Sequence, residues 1–190
     1  MNYKNNEQLE NLFSTAVTYA VENNVKKIII FAKAKDNVLK LKQQIGTNDI
    51  ELIVTTFPMN QALYLENDEG EIEEVYPDLY NQEDQKILKD EGIKIVSSTL
   101  PFDPIIIPGH NSNPYSIIKR TLNLFGEGID LVVQSALMAT DTGVIKPSER
   151  VISMNTKLFV DMTTTNSRYL FHPTKKININ KVQKNTDSPI

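Results

Sequence analysis

Leu9, Leu12, Phe13, Ala16, Val17 and Ala20 recur at helical spacing and define one apolar face, which predicts a helix over residues 6–22. Asn23 and Asn24 mark its end. Lys27 then leads into Ile28-Ile29-Ile30-Phe31, a short β-branched run of the kind found in strands buried on both faces. Asp36 is placed to cap a second helix carrying Val38, Leu39, Leu41 and Ile45, with Gly46 at its C-terminal stop. Residues 50–56 repeat the strand pattern.

From Pro58 to Asn81 the pattern breaks. Glu66, Asp68, Glu69, Glu71, Glu73, Glu74 and Asp78 surround Gly70. The stretch reads as a mobile loop or a small hairpin, a solvated acidic excursion that packs poorly over residues 60–80. Its carboxylates do not follow the spacing of a calcium loop.

Periodicity resumes with a helix over residues 81–91, a strand over 93–96, and a Pro-rich stretch to Ser112. Asn113-Pro114 is a strong helix start, and Ile117, Ile118, Leu122 and Phe125 give that helix its buried face. The apolar run 129–133 predicts a fourth strand, and 136–142 a short helix closed by Gly143. Three strands follow over 151–154, 158–163 and 176–179. Strands alternating with helices imply a parallel sheet covered on both faces, and consecutive strands at the end imply an antiparallel edge. The expected architecture is a three-layer α/β sandwich. A single domain is expected over residues 1–182, with a loose tail over 183–190.

Composition narrows the class. The chain has 190 residues, 40% of them hydrophobic, and a net charge of −4, which suits one globular domain. The absence of cysteine removes disulfides, thiolate metal sites and cysteine nucleophiles, and matches a reducing compartment. No apolar leader follows Met1 and no run is long enough to span a bilayer, so a cytoplasmic protein without a membrane partner is expected. No basic stripe is present, so no nucleic-acid partner is expected. There is no Gly-rich dinucleotide fingerprint, P-loop or nucleophile elbow. The two histidines, His110 and His172, lie far apart, so no metal site is expected.

One stretch is more specific. Residues 124–145 contain Phe125, Gly126 and Gly128, then Met138, Ala139, Asp141 and Gly143. A Phe-Gly-x-Gly turn followed by Leu-Met-Ala-x-Asp-x-Gly resembles a signature of pyruvate kinase C-terminal-domain-like proteins, and Val151-Ile152-Ser153 fits the strand that follows. The resemblance spans roughly residues 7–180 and is topological outside 124–153. It implies a flavodoxin-like or Rossmann-like sandwich without an established reaction. It also implies a phosphorylated small ligand, with flavin mononucleotide as a cofactor of some relatives. The glycines of the family's phosphate turns are absent here. Ala32-Lys33-Ala34-Lys35-Asp36-Asn37 stands at the first turn and Asn155-Thr156-Lys157 at the second. Lys157 and Asp161 align with the basic residue and the Asp of that second turn. The family's Glu before Leu-Met-Ala is Gln134 here.

Open α/β sheets bind ligands beyond the carboxyl ends of their parallel strands. That rule selects Lys33, Lys35, Asp36 and Asn37, then Thr55 and Thr56, then Ser97, Ser98 and Thr99, then Gln134 and Ser135, then Asn155, Thr156 and Lys157. Asp161 joins them through the resemblance. Each has a bland alternative: Asp36 and Ser135 as helix caps, the threonines as strand residues, the lysines as solvated charges. Phe57, Phe159 and Met138 are candidates for stacking or apolar burial. Three functions stay open: a binding domain for a phosphorylated small molecule, an enzyme of unknown reaction using the same rim, and a fold-only protein acting through homo-oligomerisation.

Overall fold

The computed structural model of the protein describes residues 3–58, 61–66, 71–77, 80–103 and 115–185. The first helix, α1 (Tyr3–Glu22), leads to strand β1 (Lys27–Phe31). Asn24 adopts a left-handed φ of 53°. The Val25 amide returns to the Ala20 carbonyl at 2.8 Å, so the helix ends in a Schellman turn in which Asn does the work usual for Gly. Next come α2 (Lys35–Ile45), β2 (Glu51–Thr56), a hairpin of β3 (Leu63–Glu66) and β4 (Ile72–Val75), α3 (Gln82–Asp90) and β5 (Lys94–Ser97). Then follow α4 (Ser116–Asn123), α5 (Ile129–Asp141), β6 (Arg150–Met154), β7 (Leu158–Thr163) and β8 (Asn178–Lys184).

Six strands form one sheet in the order β5-β2-β1-β6-β7-β8. The first four are mutually parallel, while β7 and β8 are antiparallel to their neighbours. Strand alternation sends Ile28, Ile30, Leu52 and Val54 to one face, where they pack on Phe13, Ala16, Leu41 and Leu88 of α1, α2 and α3. Ile29, Phe31, Ile53 and Val151 go to the other face, against α5. The chain is thus a three-layer α/β sandwich, mostly parallel with an antiparallel C-terminal edge. Among the described residues no helix is long and apolar enough to cross a membrane.

Four local expectations are corrected. Residues 129–133 are not a strand: they are the first turns of α5, which runs unbroken to Asp141. Nearly every residue of that helix is buried, so no polar face interrupts its apolar run. Asp36 does not cap α2: Ala34 holds the N-cap position without a side-chain bond, and Asp36 sits exposed in the first turn. Ser135 is likewise no cap but lies inside α5. The last strand is β8, two residues later at its start and five at its end than 176–179, so it crosses the boundary expected at 182/183. The acidic excursion contains the β3–β4 hairpin, a separate two-stranded sheet. Its described side chains at 71 and 73–76 are exposed, but Tyr80 is buried. His110 and the expected helix start Asn113-Pro114 lie outside the described residues.

Candidate functional site

Because β1, β2, β5 and β6 run parallel, their carboxyl ends share one edge of the sheet, and the turns after them form its rim. At the first turn Lys33 is exposed, and its ammonium lies 5.1 Å from the centroid of the Phe57 ring. Phe57 is itself buried and meets Phe31 edge-on at 4.9 Å. Lys35 is committed elsewhere: its Nζ lies 2.5 Å from Oδ1 of Asp84 on α3. That bond raises the Lys35 pKa above its ordinary value. The buried Tyr80 hydroxyl donates to the Ala32 carbonyl at 2.6 Å, and burial pushes its phenol pKa up. Asn37 is half-buried and its amide donates to the Ala34 carbonyl at 3.2 Å.

The end of β2 is polar and dry. Thr55 Oγ1 donates to Ser135 Oγ at 2.8 Å, joining β2 to α5. Gln134 Oε1 accepts from the Phe102 amide at 2.8 Å, which fixes the orientation of its side-chain amide. Gln134 Nε2 and Thr56 Oγ1 are buried without a hydrogen-bond partner among the described residues. Beyond β5, Ser97 Oγ donates to the Phe57 carbonyl at 2.9 Å. Ser98 is half-buried and Thr99 exposed.

After β6, Asn155 organises the turn rather than facing a ligand. Its Oδ1 accepts from the Lys157 and Leu158 amides at 2.8 and 3.0 Å, and its Nδ2 donates to the Gly128 carbonyl at 3.2 Å. Thr156 and Lys157 are exposed, and Lys157 pairs with Glu127. Gly128 has φ of 82°, and a Cβ there would meet Asn155 Nδ2 at 2.6 Å. Asn155 is tied at both ends and has little room to yield. Gly128→Ala is therefore expected to destabilise the protein by about 2 kcal/mol, from left-handed strain plus displacement of Asn155, measured by urea unfolding. A loss below a few tenths would show that the turn adapts.

Three expected contributors are not at the rim. Asp161 is fully buried in the middle of β7, bonded to Arg150, Tyr19 and Asn180. Phe159 packs on the α1 face, with its ring 5.6 Å from that of Tyr19. Met138 is interior to α5. His172 is engaged locally, its Nδ1 accepting from the Thr174 and Lys175 amides at 3.2 Å. Tyr80, Asp84 and Glu127 are the rim residues that sequence reasoning missed. Asp84 meets Lys35 across 49 positions, a separation at which no local pattern signals contact.

The edge supplies cations, hydroxyls and the uncapped N-terminus of α2, which suit a phosphate. The Phe57 ring is buried, with Lys33 over it and Phe31 against it, whereas Phe125, beside the turn that meets Asn155, is exposed. A shallow groove of about 420 Å³ lies along α1 and the end of α2, lined by Val17, Val21, Gln44 and Asn48. It lies towards the C-terminal ends of α1 and α2, where the helix dipoles disfavour anions.

Fold and rim together define an α/β sandwich with a polar, partly self-paired strand-end edge. No family model matches the chain. Two solved structures of Cryptosporidium parvum pyruvate kinase are similar to it. One has 15% identity and a TM-score of 0.39 over 81% of this chain, and the other has 14% and 0.36 over 90%. In each case the chain spans 22% of that enzyme's length.

Proposed function

We propose that the carboxyl edge of the sheet binds a phosphorylated small molecule, with Lys33 as its principal cation. The observation that carries this reading is that, among the described residues, Thr56 Oγ1 at the end of β2 is buried without a partner, as is Gln134 Nε2 on α5 across the sheet. A buried polar group left unbonded costs about 1–3 kcal/mol, so a ligand that bonds with these groups is favoured there. Lys33 adds a charge with no carboxylate partner among the described residues. A helix terminus contributes about 0.3–1 kcal/mol and a lysine bond roughly 1.5–3 kcal/mol. Together they amount to about 2–4 kcal/mol, an affinity for phosphate itself of roughly one to fifty millimolar.

The double variant Lys33→Ala, Lys35→Ala tests this. Titration with inorganic phosphate, followed by amide chemical shifts, is expected to show affinity weakened about tenfold or more. The thermal midpoint should fall only slightly, because Lys33 is exposed and the partly covered Lys35–Asp84 pair contributes about 1 kcal/mol at most. Undiminished binding would reject the site. A fold-only role through oligomerisation is the second reading. It is favoured by the contacts with which the rim closes on itself: Lys35 with Asp84, Lys157 with Glu127, and Tyr80 with Ala32. No phosphate binding, together with self-association in sedimentation, would decide for it.

A further inference from the structure

We propose that residues 80–84 form an internal stopper on this site, in which Asp84 holds Lys35 in place of a ligand's anionic group. The inference rests on the phosphate-binding reading above. Two contacts reach the turn after β1 from this one short run. The Tyr80 hydroxyl takes the Ala32 carbonyl at 2.6 Å, and Asp84 Oδ1 takes Lys35 Nζ at 2.5 Å. The run is itself braced. Asn81 Oδ1 accepts from the Asp84 amide at 2.8 Å, capping α3, and Gln85 Nε2 donates to the Tyr80 carbonyl at 3.0 Å. Asp84 therefore lies in the first turn of α3, where the helix dipole favours a carboxylate.

The consequence is a site with one cation open and one occupied. Lys33 and Lys35 flank the same turn, yet among the described residues Lys35 alone has a carboxylate paired with it. Both members of the Lys35–Asp84 pair are about three-quarters covered, with side-chain exposures of 25% and 24%. An incoming anion must displace Asp84 or accept its repulsion. A singly charged carboxylate ligand gains nothing by replacing one carboxylate with another. A phosphate monoester carries close to two negative charges and three acceptor oxygens at neutral pH, so it can replace the single carboxylate on Lys35 and keep oxygens free for another donor of the turn once Asp84 swings away. The stopper thus selects phosphate monoesters over simple carboxylates.

The experiment compares wild type, Asp84→Asn, and Asp84→Asn combined with Lys35→Ala, each titrated with inorganic phosphate and with acetate. Asp84→Asn is expected to lower the phosphate Kd about fivefold, the ratio that removal of a competing ion pair of ~1 kcal/mol gives. Adding Lys35→Ala should abolish that gain, and acetate should bind wild type more weakly than phosphate does. Equal phosphate Kd values in wild type and Asp84→Asn would overturn the stopper while leaving phosphate binding standing. So would a gain that survives loss of Lys35, or acetate binding wild type as tightly as phosphate. If neither wild type nor Asp84→Asn binds phosphate while both keep native circular dichroism, the stopper and the phosphate-binding reading fall together.

Discussion

Replacing Asp161 by Ala is expected to destabilise the protein by about 3 kcal/mol, the lower end of the range for removing one partner of a buried ion pair. Asp161 is fully buried and accepts from four donors on three other elements. Arg150 Nε and Nη2 reach its two oxygens at 2.9 and 2.6 Å, Tyr19 donates at 3.0 Å and Asn180 at 3.2 Å. One carboxylate thus fastens α1, β6 and β8 to β7. The Arg150 side chain is 42% exposed, so water can solvate it when Asp161 is gone, which keeps the loss towards the lower end. The pH dependence follows with a definite sign. Burial opposes ionisation of Asp161, but the bonds from Arg150, Asn180 and Tyr19 outweigh it and hold the pKa below the ordinary carboxylate value. A carboxyl with a depressed folded pKa stabilises fully above its unfolded value, about 3.9, and loses that contribution as pH falls through the folded value. Wild type should therefore lose stability below about pH 4 more steeply than Asp161→Asn. Urea midpoints between pH 2 and 7 measure both effects. A loss under about 1 kcal/mol, or identical acid limbs, would show that the network does not fasten the sheet.

Amphipathic elements were legible because they have a wet face. The stripe from Leu9 to Ala20 marks α1, since its other side meets water, and Asn81 signals the start of α3 because its side chain caps it. Ile28-Ile29-Ile30-Phe31 reads as a buried strand, as it is, because both layers cover it. The same logic misleads at 129–133. Ile129, Val132 and Val133 are β-branched and buried, and a helix buried on all sides shows no 3.6-residue periodicity to set it apart from a strand. The rim was legible only in part. The rule about carboxyl ends selects Lys33 after β1 and Thr56 at the end of β2, but it selects Gln134 as the end of a strand over 129–133 that is helix. It had no means of finding Tyr80 and Asp84, whose contacts depend on where α3 docks. Asp161 entered through a motif position, and the antiparallel course of β7 carries it away from the rim into the sheet.

Leu137→Ala within α5 is expected to cost about 3–5 kcal/mol. Leu137 is fully buried in the cluster formed with Ile29, Ile53, Val133 and Val151. Truncating such a leucine loses its transfer free energy and leaves a cavity that tight surroundings fill poorly. Collapse is hindered here because Ser135 is tied to Thr55 at 2.8 Å, and Ser153 Oγ donates to the Val132 carbonyl at 2.7 Å. Those bonds hold the helix at a fixed distance from the sheet. Leu131 lies on the same helix but is only partly buried, and Leu131→Ala should cost about 1 kcal/mol, the transfer free energy of a fraction of its surface. The pair also separates helix from strand. Positions 131 and 137 are an even number of residues apart, so in a continuous strand they would share one face and the two truncations would cost the same. In the helix they lie about 120° apart from one another after a net rotation of 600° at roughly 100° per residue. A difference of about 2 kcal/mol or more in urea unfolding supports the helical placement, and equal losses would overturn it.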